Sequence, residues 1–269
     1  MVADTRKQSD RHGAKTLERG LRVLEALADA CGTAGVTEIA ARCGLDKTTA
    51  HRLLATLVRS GYARRDVDTR AYSLGLKVFD LYDGLQAGLG LQEICRPHLA
   101  RLNEISGETS HLAVLAGTDI MFVDWVNTKE AMGVRTTVGR KEPAFCTALG
   151  RAMLAAMPNG ERQRILADSE LRAYTSRTLI TISEIEADLV ADTRRGYALD
   201  NEEFLVGVRC IAAPVLGPQG EVAAAMGVSG PAARMKMSHC RKLGPPVGAI
   251  AAEASAALGY RRPGNEHGA

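Results

Sequence analysis

The sequence predicts an α+β fold, in which a helical N-terminal third precedes an antiparallel sheet flanked by helices. At 269 residues, the chain is long enough for two domains. Apolar residues recur at helical spacing as far as about residue 106, after which short aliphatic runs alternate with tight turns. Consecutive strands joined by such turns, with helices between groups of strands, favour an antiparallel sheet.

The composition excludes several classes of protein. Hydrophobic residues make up 46% and charged residues 24% of the chain, as in an ordinary globular protein. The chain has no apolar run of 18 residues and a polar N-terminus, so we expect no membrane partner, no secretory signal and a cytoplasmic location. The six cysteines include no C-x-x-C pair, which argues against a zinc ribbon and a disulfide framework. We therefore expect no bound metal and no other cofactor.

The first predicted helix spans residues 16–30. Its leucines Leu17, Leu21 and Leu24 recur at helical spacing, which predicts that this face is buried. Two further short helices are predicted within residues 36–60, on either side of a glycine.

The segment 36–60 has the pattern of a helix-turn-helix. Thr37 is a candidate N-cap of its first helix and Asp46 of its second. Between them Gly44 suits a left-handed turn, because glycine adopts a positive φ without steric penalty. Small and apolar residues around the turn allow two helices to cross closely, which is typical of this motif.

The outer face of the second of these helices is polar and basic. Hydroxyl side chains near its start and an arginine that can bond two acceptors of guanine suit a reader of the major groove. Residues 62–74 then predict two short strands around the turn DVDTR, a wing whose arginines can contact phosphates or the minor groove. Residues 1–75 hold 13 Lys and Arg against 9 Asp and Glu, whereas the rest of the chain is nearly neutral. The residues predicted to contact double-stranded DNA are Lys47, Thr48, Thr49, His51, Arg52, Arg59, Arg64 and Arg70.

Two alternatives remain open for these helices. The helix-turn-helix pattern also occurs in small helical domains whose charges simply face solvent. Residues 76–89 predict a helix with a wide apolar surface, which suits either a linker that pairs with a second subunit or an ordinary core helix.

The C-terminal two-thirds contain a candidate site for an anion. A helix is predicted to begin near Leu149, and the unpaired N–H groups of a helix N-terminus attract a carboxylate. Cys210 and Ser229 lie near the ends of two later strands, where a thiol and a hydroxyl can surround a small acid. In the alternative reading, Cys210 is part of the core and Asp200 caps a turn. His111 begins an apolar strand and is predicted to be a structural histidine with satisfied hydrogen bonds.

Several motifs occur in unbroken order over residues 16–260. They include VTEIAARCGLDKTTAHRLLATLVRSGY, PAFCTALGRAML, RRGYALDNEEFLVGVRCIAAPVL and AAAMGVSGP. Together they resemble the isocitrate-lyase-regulator (IclR) family of bacterial transcription factors. The resemblance implies a winged helix-turn-helix, a linker helix and a C-terminal effector domain of the GAF/profilin-like type. It also implies a homodimer or homotetramer on a pseudo-palindromic operator, controlled by a small organic acid, with repression of a catabolic operon favoured over activation.

The resemblance covers residues 16–260 and implies the domain boundaries within them. The polar composition of the first fifteen residues predicts a disordered arm. The boundaries are a disordered arm at 1–15, the DNA-binding domain at 16–75, the linker helix at 76–90, the effector domain at 91–260 and a disordered tail at 261–269.

The resemblance also implies effector contacts. Members that sense small oxo-acids hold the carboxylate with backbone groups at a helix start and with Asp, Cys and two Ser side chains. The matching positions are Ala148, Leu149, Asp200, Cys210 and Ser229. The second serine position is Gly227 here, which implies a larger pocket and favours a larger or aromatic carboxylate over glyoxylate or pyruvate.

Two other functions remain as alternatives. A metal-sensing or redox-sensing regulator would need clustered ligands, but His98, His111 and His239 are far apart in the sequence. A thiol enzyme could use Cys210 as a nucleophile with His111 or His239 as its base, oriented by Asp200. The sequence has no nucleophile elbow and no phosphate loop, so we predict that the protein is not an enzyme.

Overall fold

The computed structural model describes residues 3–30, 32–81 and 90–261. It divides into two compact units, the N-terminal unit (1–89) and the C-terminal unit (90–269). The N-terminal unit contains α1 (Ala3–Asp29), α2 (Val36–Cys43), α3 (Lys47–Arg59), β1 (Ala63–Arg65) and β2 (Tyr72–Leu74).

The helix-turn-helix has the predicted turn and one of the two predicted caps. Gly44 adopts a left-handed conformation with φ 63° at the end of α2, and the Asp46 side chain accepts a hydrogen bond from the backbone N–H of Thr49 at 2.8 Å. The prediction that Thr37 caps α2 is wrong, because the N-cap is Gly35. The extended backbone ends at Gly35, so Thr37 lies inside the first turn of the helix, where it cannot act as a cap.

Helix α1 differs from the prediction in two respects. It begins at Ala3, so the predicted disordered arm at 1–15 is helical from that residue onward. A polar composition does not prevent helix extension, which adds one backbone hydrogen bond per residue. The buried face of α1 also differs, since Val23 and Leu27 are buried whereas Leu17 and Leu21 are 66% and 51% exposed.

The core of the N-terminal unit joins all three helices to the wing. Val23 and Leu27 of α1 pack with Ile39 of α2, Leu54 of α3 and Tyr72 of β2. Strands β1 and β2 pair in antiparallel register, as expected for a wing. Residues 77–81 are helical, in agreement with the start of the predicted linker helix. The linker residues 82–89 and the predicted tail from 262 to 269 lie outside the described residues.

The C-terminal unit is built on a six-stranded antiparallel sheet with the order β5-β4-β3-β8-β7-β6. Residues 134–139 form no strand, and β5 follows them. The strands are β3 (Thr109–Ala116), β4 (Asp119–Val126), β5 (Lys141–Pro143), β6 (Ala198–Asn201), β7 (Val208–Leu216) and β8 (Val222–Pro231). The helices are α4 (Leu91–Ser106), α5 (Ala148–Ala156), α6 (Asn159–Asp168), α7 (Ile182–Arg195) and α8 (Met237–Ala257).

Both faces of this sheet are covered by helices. Leu112 and Met226 point to one face and pack with α4 and α8. Ala113 and Ala225 point to the other face and pack with α5, α6 and α7. Successive side chains of a strand point to opposite faces, so each strand supplies both cores. Within the described residues, no helix is both long enough and apolar enough to cross a membrane.

Candidate functional site

The outer face of α3 exposes most of the residues predicted to contact DNA. Lys47, Thr48, His51 and Arg52 are exposed along one side of the helix, and Arg59 is exposed near its end. Because the guanidinium of Arg52 and the hydroxyl of Thr48 have no partner among the described residues, this face can make hydrogen bonds to the edges of bases.

Thr49 has a structural role that the sequence did not indicate. It is half-buried, and its hydroxyl donates a hydrogen bond to Asp46 at 2.7 Å while its backbone N–H donates to the same carboxylate. These two bonds lower the pKa of Asp46 and close the N-terminus of α3. The hydroxyl of Thr49 is therefore left only as an acceptor.

The wing holds its arginines in defined positions. Arg64 is exposed, and its Nε donates to the hydroxyl of Ser73 on the facing strand at 2.9 Å. The turn is closed by Asp66, whose carboxylate accepts the backbone N–H of Thr69 at 2.8 Å. Arg70 is exposed beside this turn and has a φ of 57°. The two predicted basic residues of the wing thus lie on a hairpin whose turn is closed by a hydrogen bond within the turn itself.

A cavity of about 470 Å³ in the C-terminal unit brings together all five residues predicted to contact an effector. This volume is in the range of sites that bind small organic molecules. The five residues, which come from α5 and from three strands, are Ala148, Leu149, Asp200, Cys210 and Ser229.

The sheet register aligns the three polar side chains of this set. Asp200 pairs with Cys210 across β6 and β7, and Cys210 pairs with Ser229 across β7 and β8. Directly paired residues point to the same face, so the carboxyl, the thiol and the hydroxyl form a row. The Asp200 and Ser229 side chains are both close enough to the Cys210 thiol to affect its pKa.

The start of α5 forms the second wall of the cavity. Thr147 is the N-cap, and its hydroxyl accepts the N–H of Gly150 at 3.3 Å and donates to the carbonyl of Pro143 at 2.9 Å. The N–H groups of Ala148 and Leu149 have no partner within the helix and lie at the positive end of its dipole. This arrangement attracts a carboxylate.

The cavity has two carboxyl groups whose ionisation is disfavoured by burial. Burial raises the pKa of Asp200 to about 7, although the N–H of Glu203 donates to this carboxyl at 2.7 Å and favours the charged form. Burial also raises the pKa of Glu142, which forms an ion pair with Arg140 at 2.9 Å. A bound anion would therefore meet an Asp200 that is protonated in a large fraction of molecules at neutral pH.

Arg151 supports the cavity from behind, and no motif of the sequence indicates this role. Its side chain is 1% exposed, and it forms ion pairs with Asp192 and Glu203 at 2.9 Å each and a further pair with Asp188. Because the backbone of Glu203 donates to Asp200, Arg151 holds the segment that fixes the Asp200 carboxyl. The only signal in the sequence is an arginine inside the apolar helix TALGRAMLAAM.

Two expectations about the cavity are wrong. His111 is buried and lines the cavity, but neither ring nitrogen has a hydrogen-bond partner among the described residues. Gly227 does not enlarge the cavity, because it is not among the lining residues. A Cβ at Gly227 would lie 2.1 Å from the carbonyl oxygen of Ile211, so close strand packing requires glycine there.

The structure also places the residues that a metal sensor or a thiol enzyme would use. Within the part of the chain that the structure describes, no three His, Cys, Asp or Glu side chains are grouped as metal ligands. His239 is exposed on α8, which covers the sheet face opposite the cavity. Burial raises the pKa of the Cys210 thiol well above its usual value, whereas a nucleophilic cysteine needs a lowered pKa.

Comparisons with known proteins match both units. The family model for the bacterial transcriptional regulator IclR C-terminal domain matches residues 85–256, and the IclR helix-turn-helix domain matches residues 16–67. The HTH-type transcriptional regulator BhcR of Paracoccus denitrificans is 35% identical to this chain. The aligned region covers 96% of this chain and 92% of BhcR. The transcriptional repressor IclR of Escherichia coli is 32% identical, with coverages of 92% and 91%. An IclR family regulator of Brucella abortus has a solved structure with a TM-score of 0.76, 28% identity and coverages of 93% and 95%.

Proposed function

This chain belongs to the IclR family of bacterial transcriptional regulators, and we propose that its C-terminal unit binds a small organic acid that changes operator binding by its N-terminal unit. The predicted family and fold class are confirmed, and the protein is a DNA-binding regulator rather than an enzyme. Several relatives are named repressors, which supports repression of a nearby catabolic operon as the direction of control. Such a regulator would act in the cytoplasm.

The observation that carries the effector proposal is the convergence of five residues on one cavity. They combine a helix N-terminus that attracts negative charge with a row of three polar side chains on the sheet. Sites for small molecules have this composition, with apolar walls and a few polar groups that set the orientation. A tenfold change in operator affinity requires a coupling free energy of only about 1.4 kcal/mol between acid and DNA.

A homodimer or homotetramer on a pseudo-palindromic operator completes the proposal. Two copies of α3 would then enter successive major grooves. Apolar residues of the N-terminal unit support pairing, because Leu17, Leu21, Leu24, Leu57 and Leu81 line a groove on its surface. Exposed apolar surface of this kind marks sites of association.

Binding of an acid to the full chain tests the effector proposal directly. Fluorescence anisotropy with the DNA upstream of the gene, at about 150 mM salt, measures operator affinity with and without a panel of small organic acids. We expect at least one acid to shift the titration and the upstream DNA to bind about 10³-fold tighter than random duplex. If no acid shifts the curve or binds the protein in calorimetry, the effector proposal is wrong.

We expect Asp200 to make the binding of such an acid pH-dependent. The ionised carboxyl of Asp200 repels a carboxylate, so affinity falls as the pH rises above its pKa of about 7, by up to about tenfold per pH unit. Asp200→Asn should remove this slope between pH 6 and pH 8 in calorimetry. Glu142 titrates in the same cavity and is paired with Arg140, so Glu142→Gln is the matched control and should retain the slope. Equal slopes in the wild type and in Asp200→Asn would contradict this role for Asp200.

We expect Arg52 and Arg59 to contribute differently to DNA binding. Arg52→Ala removes a proposed base contact and should weaken specific binding by about 1–3 kcal/mol with little effect on random duplex. Arg59→Ala removes a proposed phosphate contact and should weaken binding to both DNAs. Anisotropy titrations at several salt concentrations measure both effects.

The control for these variants is Arg164→Ala. Arg164 is exposed on α6, in the C-terminal unit, and its loss changes the net charge by the same amount. It should leave both affinities unchanged. If Arg52→Ala kept full discrimination between operator and random duplex, Arg52 would not read bases.

A further inference from the structure

Three buried polar atoms in the C-terminal unit lack a hydrogen-bond partner, and all three belong to residues that line the effector cavity. They are the two ring nitrogens of His111 and the hydroxyl oxygen of Thr136. His111 is 1% and Thr136 is 9% exposed. Among the described residues no other buried side-chain nitrogen or oxygen is in this state. Since buried polar groups normally have a hydrogen-bond partner, two residues without one at the same cavity need a specific explanation.

The surroundings of His111 keep its ring neutral. Burial and the positive charge of Arg140 lower the pKa of His111 to about 4. The ring packs edge-on against Phe122, with centroids 5.4 Å apart, and this contact contributes no hydrogen bond. A neutral imidazole offers one N–H donor and one nitrogen acceptor, and the Thr136 hydroxyl also offers one donor and at least one acceptor.

A ligand hydroxyl both donates and accepts, so it can pair with one ring nitrogen of His111 in either tautomer and with the Thr136 hydroxyl. A carbonyl oxygen only accepts, so it can pair with His111 only where the ring presents its N–H. An ammonium group only donates and would also be repelled by Arg140, which is close enough to lower the pKa of His111.

We propose that His111 and Thr136 form a second polar subsite of the cavity, which binds a hydroxyl group of the effector. This inference rests on the proposed effector function, and it makes the effector a hydroxylated carboxylic acid. The carboxylate occupies the start of α5, and the hydroxyl pairs with the two side chains that lack a partner. A cavity of about 470 Å³ has room for an acid larger than three carbons.

The first test uses the ligand-free protein. Thr136→Val replaces the unpaired hydroxyl with a methyl group of similar size, so we expect the melting temperature of the full chain to rise by about 2–4 °C. Thr137→Val is the matched control, because Thr137 is the exposed neighbour, and it should leave the melting temperature unchanged. If Thr136→Val lowered the melting temperature, the hydroxyl would have a partner in the free protein and the subsite would be excluded.

The second test uses pairs of acids that differ by one hydroxyl. Benzoate is compared with 3- and 4-hydroxybenzoate, and hexanoate with 6-hydroxyhexanoate, by calorimetry on the full chain. We expect the hydroxylated member of at least one pair to bind about tenfold tighter than its parent acid. This preference should fall below about threefold in Thr136→Val and in His111→Phe, which retains the aromatic contact with Phe122. The parent acid should bind Thr137→Val as it binds the wild type.

The possible failures separate the subsite from the effector function. If acids bind the wild type but hydroxylation has no effect, the subsite is wrong and the effector proposal stands. The same conclusion holds if both variants keep the full preference. If no acid of either kind binds the wild type, the carboxylate site fails and the subsite fails with it.

Discussion

Replacing Arg151 with leucine is expected to lower the free energy of unfolding of the C-terminal unit by about 3–5 kcal/mol. The substitution leaves Asp192 and Glu203 buried without the guanidinium that pairs with each of them at 2.9 Å. Urea unfolding measures the loss. Trp125 is the only tryptophan in the chain and lies in β4, so its fluorescence reports on this unit alone.

The loss of unfolding free energy caused by Arg151→Leu should depend on pH. Burial already raises the pKa values of Asp192 and Glu203 in the presence of Arg151, and the loss of its charge raises them further. Carboxyls with a raised pKa in the folded state bind protons more tightly when folded, so stability falls as the pH rises. The deficit should therefore be smaller at pH 5 than at pH 8.

The control for Arg151→Leu is Arg164→Leu. Arg164 is exposed and donates to the carbonyl of Gly160, so its replacement should change stability by less than about 0.5 kcal/mol. A loss below about 1 kcal/mol for Arg151→Leu at pH 8 would mean that the network does not depend on this arginine.

Gly150→Ala is expected to damage both stability and acid binding. A Cβ at Gly150 would lie 2.2 Å from the carbonyl oxygen and 2.3 Å from the Cα of Ala144, and these backbone atoms cannot move as a side chain can. Such overpacking costs about 1–3 kcal/mol. The first turn of α5 must then shift, and with it the N–H groups of Ala148 and Leu149. We expect the affinity for an acid that binds the wild type to fall more than about tenfold, since this turn supplies the anion site.

Gly160→Ala is the matched control for this substitution. Gly160 is also helical, but a Cβ there would meet no atom within 4 Å. Alanine should therefore leave acid binding unchanged and stabilise the protein by up to about 1 kcal/mol. If Gly150→Ala behaved like Gly160→Ala in thermal unfolding and in calorimetry, the tight packing of α5 on Ala144 would not be needed for stability or for acid binding.

The predictions from sequence succeeded where neighbours in the chain decide the structure. The left-handed turn at Gly44 and the cap formed by Asp46 each depend on a few consecutive residues. The hairpin of the wing also depends on a short segment, in which Asp66 closes the turn. Local chemistry of this kind is readable because its partners lie within about four residues.

The errors concern contacts between distant parts of the chain. Helix α1 has apolar residues on more than one face, and periodicity alone does not show that Val23 and Leu27 are buried while Leu17 and Leu21 are exposed. His111 resembled a satisfied core histidine because an apolar strand surrounds it in the sequence. Its lack of a partner depends on segments more than ten residues away.

By itself, the sequence determined the two-domain α+β organisation, the helix-turn-helix with its basic face, and the membership of a family of transcriptional regulators. Hydrophobic periodicity, capping residues and turn residues act locally, so they can be read from the order of residues. The tertiary structure alone decided that Asp200, Cys210 and Ser229 stand in a row, and that Arg151 holds the segment behind them. It also decided that Gly227 is required by strand packing. Sheet register and close packing join residues far apart in the chain, and their energies arise only when those residues meet.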